Sequence, residues 1–104
     1  QLYWGYSNPT KAVQYAELLK GWCSLKRAPG VQLYIGLAGY KIGSTNAADK
    51  TDYCSGNLLA RQTKDAAAAG CSGVINFSYG DLVKTDAAHQ SENKALKLAL
   101  EQLK

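Results

Sequence analysis

The sequence predicts an α/β fold: three parallel βα units that form a partial (β/α)8 (TIM) barrel. Three observations lead there. Strand-like runs alternate with helical patterns three times along the chain, the arrangement of right-handed βαβ crossovers. Each strand run carries one apolar face and one polar or aromatic face, whereas a parallel strand covered on both sides reads as continuously apolar. A barrel interior takes that mixed character near its site-bearing mouth. Finally, 104 residues are under half of the roughly 250 that a closed barrel uses. The chain, residues 1–104, therefore reads as a single segment of a larger barrel.

The elements follow in order. Gln1-Leu2-Tyr3-Trp4 is a short apolar and aromatic strand with no lead-in. Asn8-Pro9 then offers an N-cap and a proline at the first helical position. Ala12, Ala16, Leu19 and Trp22 continue at helical spacing until Ala28-Pro29-Gly30 breaks the chain. Trp22 and Tyr15 read as core. The second strand spans about Val31 to Ala38, with Val31, Leu33, Ile35 and Leu37 on one face and Gln32, Tyr34 and Gly36 on the other. A polar loop, 44 to 56, leads to a helix from about Asn57 that Gly70 ends. The third strand, Gly73 to Ser78, places Val74, Asn76 and Ser78 opposite Ile75 and Phe77. The last helix is expected from about Ser91, with Leu96, Leu100 and Leu103 along one face. No tandem repeat suggests a solenoid.

Composition narrows the function classes. A net charge of +4 is spread over scattered lysines and arginines rather than a stripe, which argues against nucleic acid as a partner. No apolar run is long enough to span a bilayer. Cys23, Cys54 and Cys71 form no close metal-ligand pair, and an odd count leaves at least one thiol outside any internal pairing. His89 lies in a polar stretch and reads as solvated. Neither a metal nor a cofactor is expected.

The stretch 33–43, Leu-Tyr-Ile-Gly-Leu-Ala-Gly-Tyr-Lys-Ile-Gly, invites a nucleotide reading and fails it. A P-loop needs glycine, lysine and Ser or Thr in direct succession at a helix start. Here Tyr40 separates Gly39 from Lys41, and Ile42-Gly43 precede Ser44. What remains is a strand end with glycines, Tyr40 and Lys41. The other strand ends match it, as Tyr3-Trp4-Gly5-Tyr6 and Ser78-Tyr79-Gly80-Asp81. Aromatic walls with a few placed polar groups suit a sugar ring, whose C–H face stacks while its hydroxyls hydrogen-bond.

These stretches resemble the C-terminal part of the glycosyl-hydrolase-like family numbered ten, bacterial (β/α)8 enzymes. The matching motifs are "(P)QxYW" at Gln1 to Trp4, "LYIGxAxYKIG" at 33 to 43, and "GVxxFSYxxL" at 73 to 82. The resemblance implies the last three strands and helices of the barrel, in an exported or surface-attached hydrolase of peptidoglycan-like cell-wall glycans. The substrate-binding residues would be Gln1, Tyr3, Trp4, Tyr34, Tyr40, Lys41, Asn76, Ser78 and Tyr79. Lys41 is expected to pair with an acidic sugar substituent.

Glycoside hydrolysis commonly uses two carboxylates flanking the scissile bond. Glu17, Asp65, Glu92 and Glu101 fall on helices, outside a barrel site. Asp81 follows a strand end and is the candidate acid, or else a cap for the final connection; Asp49 and Asp52, in the long loop, stand further out. The catalytic acids are expected in a missing N-terminal half, leaving this chain inactive alone. Two other readings stand beside this one. One is a noncatalytic carbohydrate-binding half-barrel. The other is a structural domain that pairs with another copy through open sheet edges.

Overall fold

Two strands pair in the structure. β1 (Tyr34–Leu37) and β2 (Gly73–Asn76) run parallel, Tyr34 opposite Gly73 and Leu37 opposite Asn76. They make up the whole sheet among residues 1–103, which the computed structural model describes. The expected three βα units of a partial (β/α)8 barrel are thereby corrected. The described residues form a small α/β domain with one two-stranded sheet and five α-helices: α1 (Tyr15–Ser24), α2 (Lys50–Tyr53), α3 (Leu58–Ala68), α4 (Tyr79–Leu82) and α5 (Ala87–Gln102).

The missing strand is Gln1 to Trp4, and its backbone bonds explain why. Leu2 N donates to Gly36 O of β1 at 2.9 Å, one ladder-like bond. The next carbonyls are taken elsewhere: Lys41 Nζ donates to Tyr3 O at 2.7 Å and Gln62 Nε2 to Trp4 O at 3.1 Å. Gly5 O accepts from Tyr15 N at 2.9 Å. These backbone groups find partners, as buried ones must, but the partners are not one neighbouring strand.

Helices cover one face of the sheet. α3 packs on both strands and α5 packs along α3. Ile35 and Leu37 are fully buried there, in one cluster with Leu2, Tyr15, Leu19, Tyr53, Leu58, Leu59 and Leu96. The parallel register fixes the faces of β2. Val74 and Asn76 fall beside Ile35 and Leu37, toward the helices; Ile75 falls beside Gly36, on the uncovered face. Alternation carries Phe77 to the same side, and both Ile75 and Phe77 are exposed. The apolar side of the third strand read from sequence, Ile75 and Phe77, thus faces away from the helices.

Helix starts differ from expectation for local reasons. Asn8 accepts from Thr10 N at 2.9 Å, but only a 3-10 turn over Lys11–Val13 follows, and extended Gln14 delays α1 to Tyr15. α5 begins at Ala87, four residues before Ser91, because Asp86 caps it by accepting from His89 N. His89 is buried rather than solvated, with Nδ1 2.8 Å from an Asp86 oxygen. Gly70, at φ +88°, stops α3 as read from sequence. Trp22 is half exposed rather than core, whereas Tyr15 is fully buried.

The N-terminus of α3 is capped from outside. Asn57 makes no side-chain cap. Instead Glu92 of α5, almost wholly buried, accepts from Leu58 N and Leu59 N, each at 2.9 Å. Burial raises the Glu92 pKa, and the amide bonds only partly offset it. Glu92→Ala would leave two buried N–H groups unpaired and should cost about 2–4 kcal/mol in urea unfolding. Glu92→Gln, with one acceptor oxygen, should cost less. A raised folded pKa means that the native state holds its proton longer than the unfolded chain. Wild-type stability relative to Glu92→Gln should therefore fall as pH rises past the unfolded carboxyl value of 4.5. It should level off above the folded pKa. A pH-independent difference would contradict this account.

Candidate functional site

The residues after the two strands converge with the first segment of the chain. Gly39 allows the turn after β1 to lie against β2: a Cβ there would sit 3.1 Å from Phe77 O, and Tyr40 N donates to that oxygen at 2.8 Å. Gly36 does the same for side chains, since a Cβ would meet the Phe77 ring at 3.4 Å and the Tyr3 ring at 3.6 Å. Tyr3 lies edge-on to Tyr40, centroids 5.6 Å apart, and edge-on to Phe77 at 5.8 Å. Such T-shaped pairs match the positive edge of one ring to the negative face of another.

Lys41 joins this cluster to the rest of the chain. Its ammonium donates to Tyr3 O, lies 4.0 Å from the Trp4 ring centroid and 3.7 Å from Asp49 Oδ2, and its side chain is mostly buried. The charge is thus already balanced inside the protein. The expected pairing with an acidic sugar group does not fit an ammonium so placed. Its evident work is to hold Tyr3 and Trp4 against the turn.

Of the residues expected to line a site, Tyr3, Trp4, Tyr40 and Lys41 come together, with Gln1 alongside at Gly36. Ser78 and Tyr79 follow the Phe77 turn, whose Phe77–Ser78 peptide is cis, and Tyr79 opens α4 at 77% exposure. Tyr34 is apart, at the start of β1, where it covers Gly73 and its hydroxyl donates to Gln32 at 2.9 Å. Asn76 lies on the helix side, its Oδ1 buried without a hydrogen-bond partner.

Asp81 serves as a cap. Its Oδ2 accepts from Ser78 N at 2.8 Å and from Ser78 Oγ at 3.2 Å, and Lys84 Nζ is 3.0 Å from Oδ1. The Ser78 amide, helped by Lys84 against the opposing effect of desolvation, holds the carboxyl below the usual range. A general acid at neutral pH requires the opposite shift. The capping alternative is the one this geometry supports.

Three participants were missed or undervalued. Phe77 forms the aromatic floor, its ring beside Gly36 and edge-on to Tyr3; no local sequence signal marked it. Asp49 and Asp52, placed in an outlying loop by sequence, are both buried. Asp52 accepts from Ser7 N at 2.8 Å and fills the space where a Cβ on Gly5 would stand. Asp49 Oδ1 is buried with no hydrogen-bond partner. Among the described residues no three His, Cys, Asp or Glu side chains cluster to hold a metal. No described helix is long and apolar enough to cross a membrane.

No family model matches this sequence, and no curated protein or solved structure matches it either. The likeness to wall-glycan hydrolases rests on the three motifs alone.

Lys41→Ala should detach the first segment before it unfolds the core. The expected loss is about 1–2 kcal/mol, from one charged hydrogen bond and one cation–π contact. Native-state hydrogen exchange should show early opening of the Leu2 amide, with the Leu58 and Leu59 amides still protected. Uniform loss of protection would mean that Lys41 holds the whole fold rather than the segment.

Proposed function

We propose that the aromatic face at the strand ends binds a glycan chain, and that this is the chain's contribution to a glycoside hydrolase of bacterial wall-type glycans. The observation that carries the reading is the exposure of four rings around one turn: Trp4 at 37%, Tyr40 at 50%, Phe77 at 40% and Tyr79 at 77%. Rings left in water at one place offer C–H stacking surface, and the neighbouring hydroxyls, amides and carbonyls suit the rim of a sugar. The internal engagement of Lys41 favours a neutral N-acetylated amino sugar over a carboxylated one. The motif resemblance points to the same substrate class and to action outside the cell or at its surface.

Binding, rather than bond cleavage, is the role assigned to this chain. Asp81 is committed to its cap, Asp49 to Lys41 and Asp52 to Ser7. Two carboxyl groups spaced across a glycosidic bond would come from elsewhere in a larger assembly.

A second reading has its own observation. Ile75, Phe77 and Tyr34 are all exposed on the uncovered sheet face. An apolar sheet face in water favours association, here with a second copy, and would make the domain structural.

The two readings separate in one experiment. In a Trp22→Phe background, Trp4 fluorescence is followed during titration with an N-acetylglucosamine tetramer, alongside light scattering. Saturable quenching by a monomer, weakened roughly tenfold by Tyr79→Ala, is the expected result; tenfold corresponds to about 1.4 kcal/mol for one stacked ring. A folded dimer that ignores the sugar and dissociates on Ile75→Lys would replace glycan binding with self-association.

A further inference from the structure

Cys23 and Cys71 stand 48 positions apart in sequence, yet their sulfurs are 3.3 Å apart. Cys23 lies in the last turns of α1. Cys71 follows Gly70, just past the end of α3, where its amide donates to Ala66 O at 3.0 Å and the next amide, of Ser72, donates to Leu33 O at 2.9 Å. Both ends of the contact are thus carried by hydrogen-bonded backbone. Both side chains are partly exposed. Cys23 also lines an open groove of about 580 Å³ between α1 and α3, with Ala16, Leu19, Lys20 and Asp65 on its walls. A small thiol reagent can enter there.

We propose that Cys23 and Cys71 form an intramolecular disulfide that ties the end of α1 to the approach to β2. A bonded pair has sulfurs about 2.05 Å apart, so each sulfur has to move roughly 0.6 Å, a small side-chain rotation. Cys54 is the thiol left over. It lies on the exposed loop after α2, its Sγ donating to Ser44 O at 3.5 Å.

The oxidant is a low-molecular-weight disulfide of the glutathione type. One cysteine thiolate attacks it, forming a mixed disulfide and releasing one glutathione thiolate. The second cysteine loses its proton, attacks the protein-side sulfur and expels the other glutathione. The protein gives up two electrons and two protons, and one glutathione disulfide becomes two thiols. Burial and the Cys23 neighbour push the Cys71 thiol up to about 11. Closure should therefore accelerate as pH rises from neutrality, because exchange proceeds through the thiolate.

The test uses the full chain carrying Cys54→Ser, treated with oxidised glutathione and analysed by intact mass without reductant. The expected product is lighter by about 2 Da and free of glutathione, with both thiols lost to titration. Its Tm should exceed that of the reduced chain by roughly 10 °C or more, since the cross-link closes a long loop in the unfolded state. A stable glutathione adduct, a disulfide-linked dimer, or a monomer whose Tm falls on oxidation would overturn the proposal.

Discussion

The ammonium of Lys41 sits where three pieces of chain meet, and the arrangement of all three depends on it. It bonds the Tyr3 carbonyl of the first segment, extends from the turn after β1, and faces Asp49 at the start of α2. Removing an ammonium from water costs several kcal/mol, which is recovered only when hydrogen bonds and an opposite charge replace the solvent. Here a carbonyl, a carboxylate and the Trp4 ring replace it together. That requirement draws the loop carrying Asp49 inward and holds Trp4 at the sheet end. The same balance leaves the Lys41 charge unavailable to a ligand. What the surface offers is ring area, so a ligand bound there would be selected by shape and stacking rather than by ion pairing with Lys41.

The first segment shows why a strand-like sequence need not become a strand. A parallel ladder demands partners at regular spacing from one neighbour. Between residues 2 and 7 the partners are instead Gly36, Lys41, Gln62, Tyr15 and Asp52, contributed by five places in the chain. Tyr6 adds a hydroxyl bond to Asp65, and the Arg61 guanidinium stacks 3.6 Å from its ring. The segment is held firmly without being part of the sheet. Its side chains are oriented by these clamps, which is how Tyr3 comes edge-on to both Tyr40 and Phe77.

Much of the α/β alternation was legible because local rules decide it. Apolar periodicity marked β1, β2 and the long helices, and Gly70 stopped α3 where its positive φ requires glycine. Partners distant in sequence decided what was illegible. Glu92, more than thirty residues away, caps α3 in place of Asn57. Nothing in the polar stretch around His89 reveals that it is buried with its ring against Asp86. Strand register is likewise nonlocal: a shift of one residue exchanges the two faces of β2, and Phe77 moves from core to site. The aromatic and glycine content of the strand ends was readable; the internal bonds that occupy Lys41 and Asp81 were not. Chemistry assigned to a charged residue from sequence presumes that the charge is free, and folding commonly consumes it.

The same reasoning relates the cysteine pair to the aromatic face. α1 begins at Tyr15, whose amide bonds Gly5 O, one residue after Trp4. It ends beside Cys71, one residue before the Ser72 amide that bonds Leu33 O at the entry to β1. Fixing the far end of α1 therefore fixes the lever that carries residues 3 to 6. In a two-stranded sheet there are few ladder bonds to resist that lever, so a covalent tie there has more effect than in a larger sheet. An oxidised pair would hold Tyr3 and Trp4 in place before any ligand arrives, and ordering completed in advance need not be supplied by binding. Stacking surfaces recognise rigid rings best when they are themselves rigid, and in this chain an oxidised pair would supply that rigidity from the opposite end of α1.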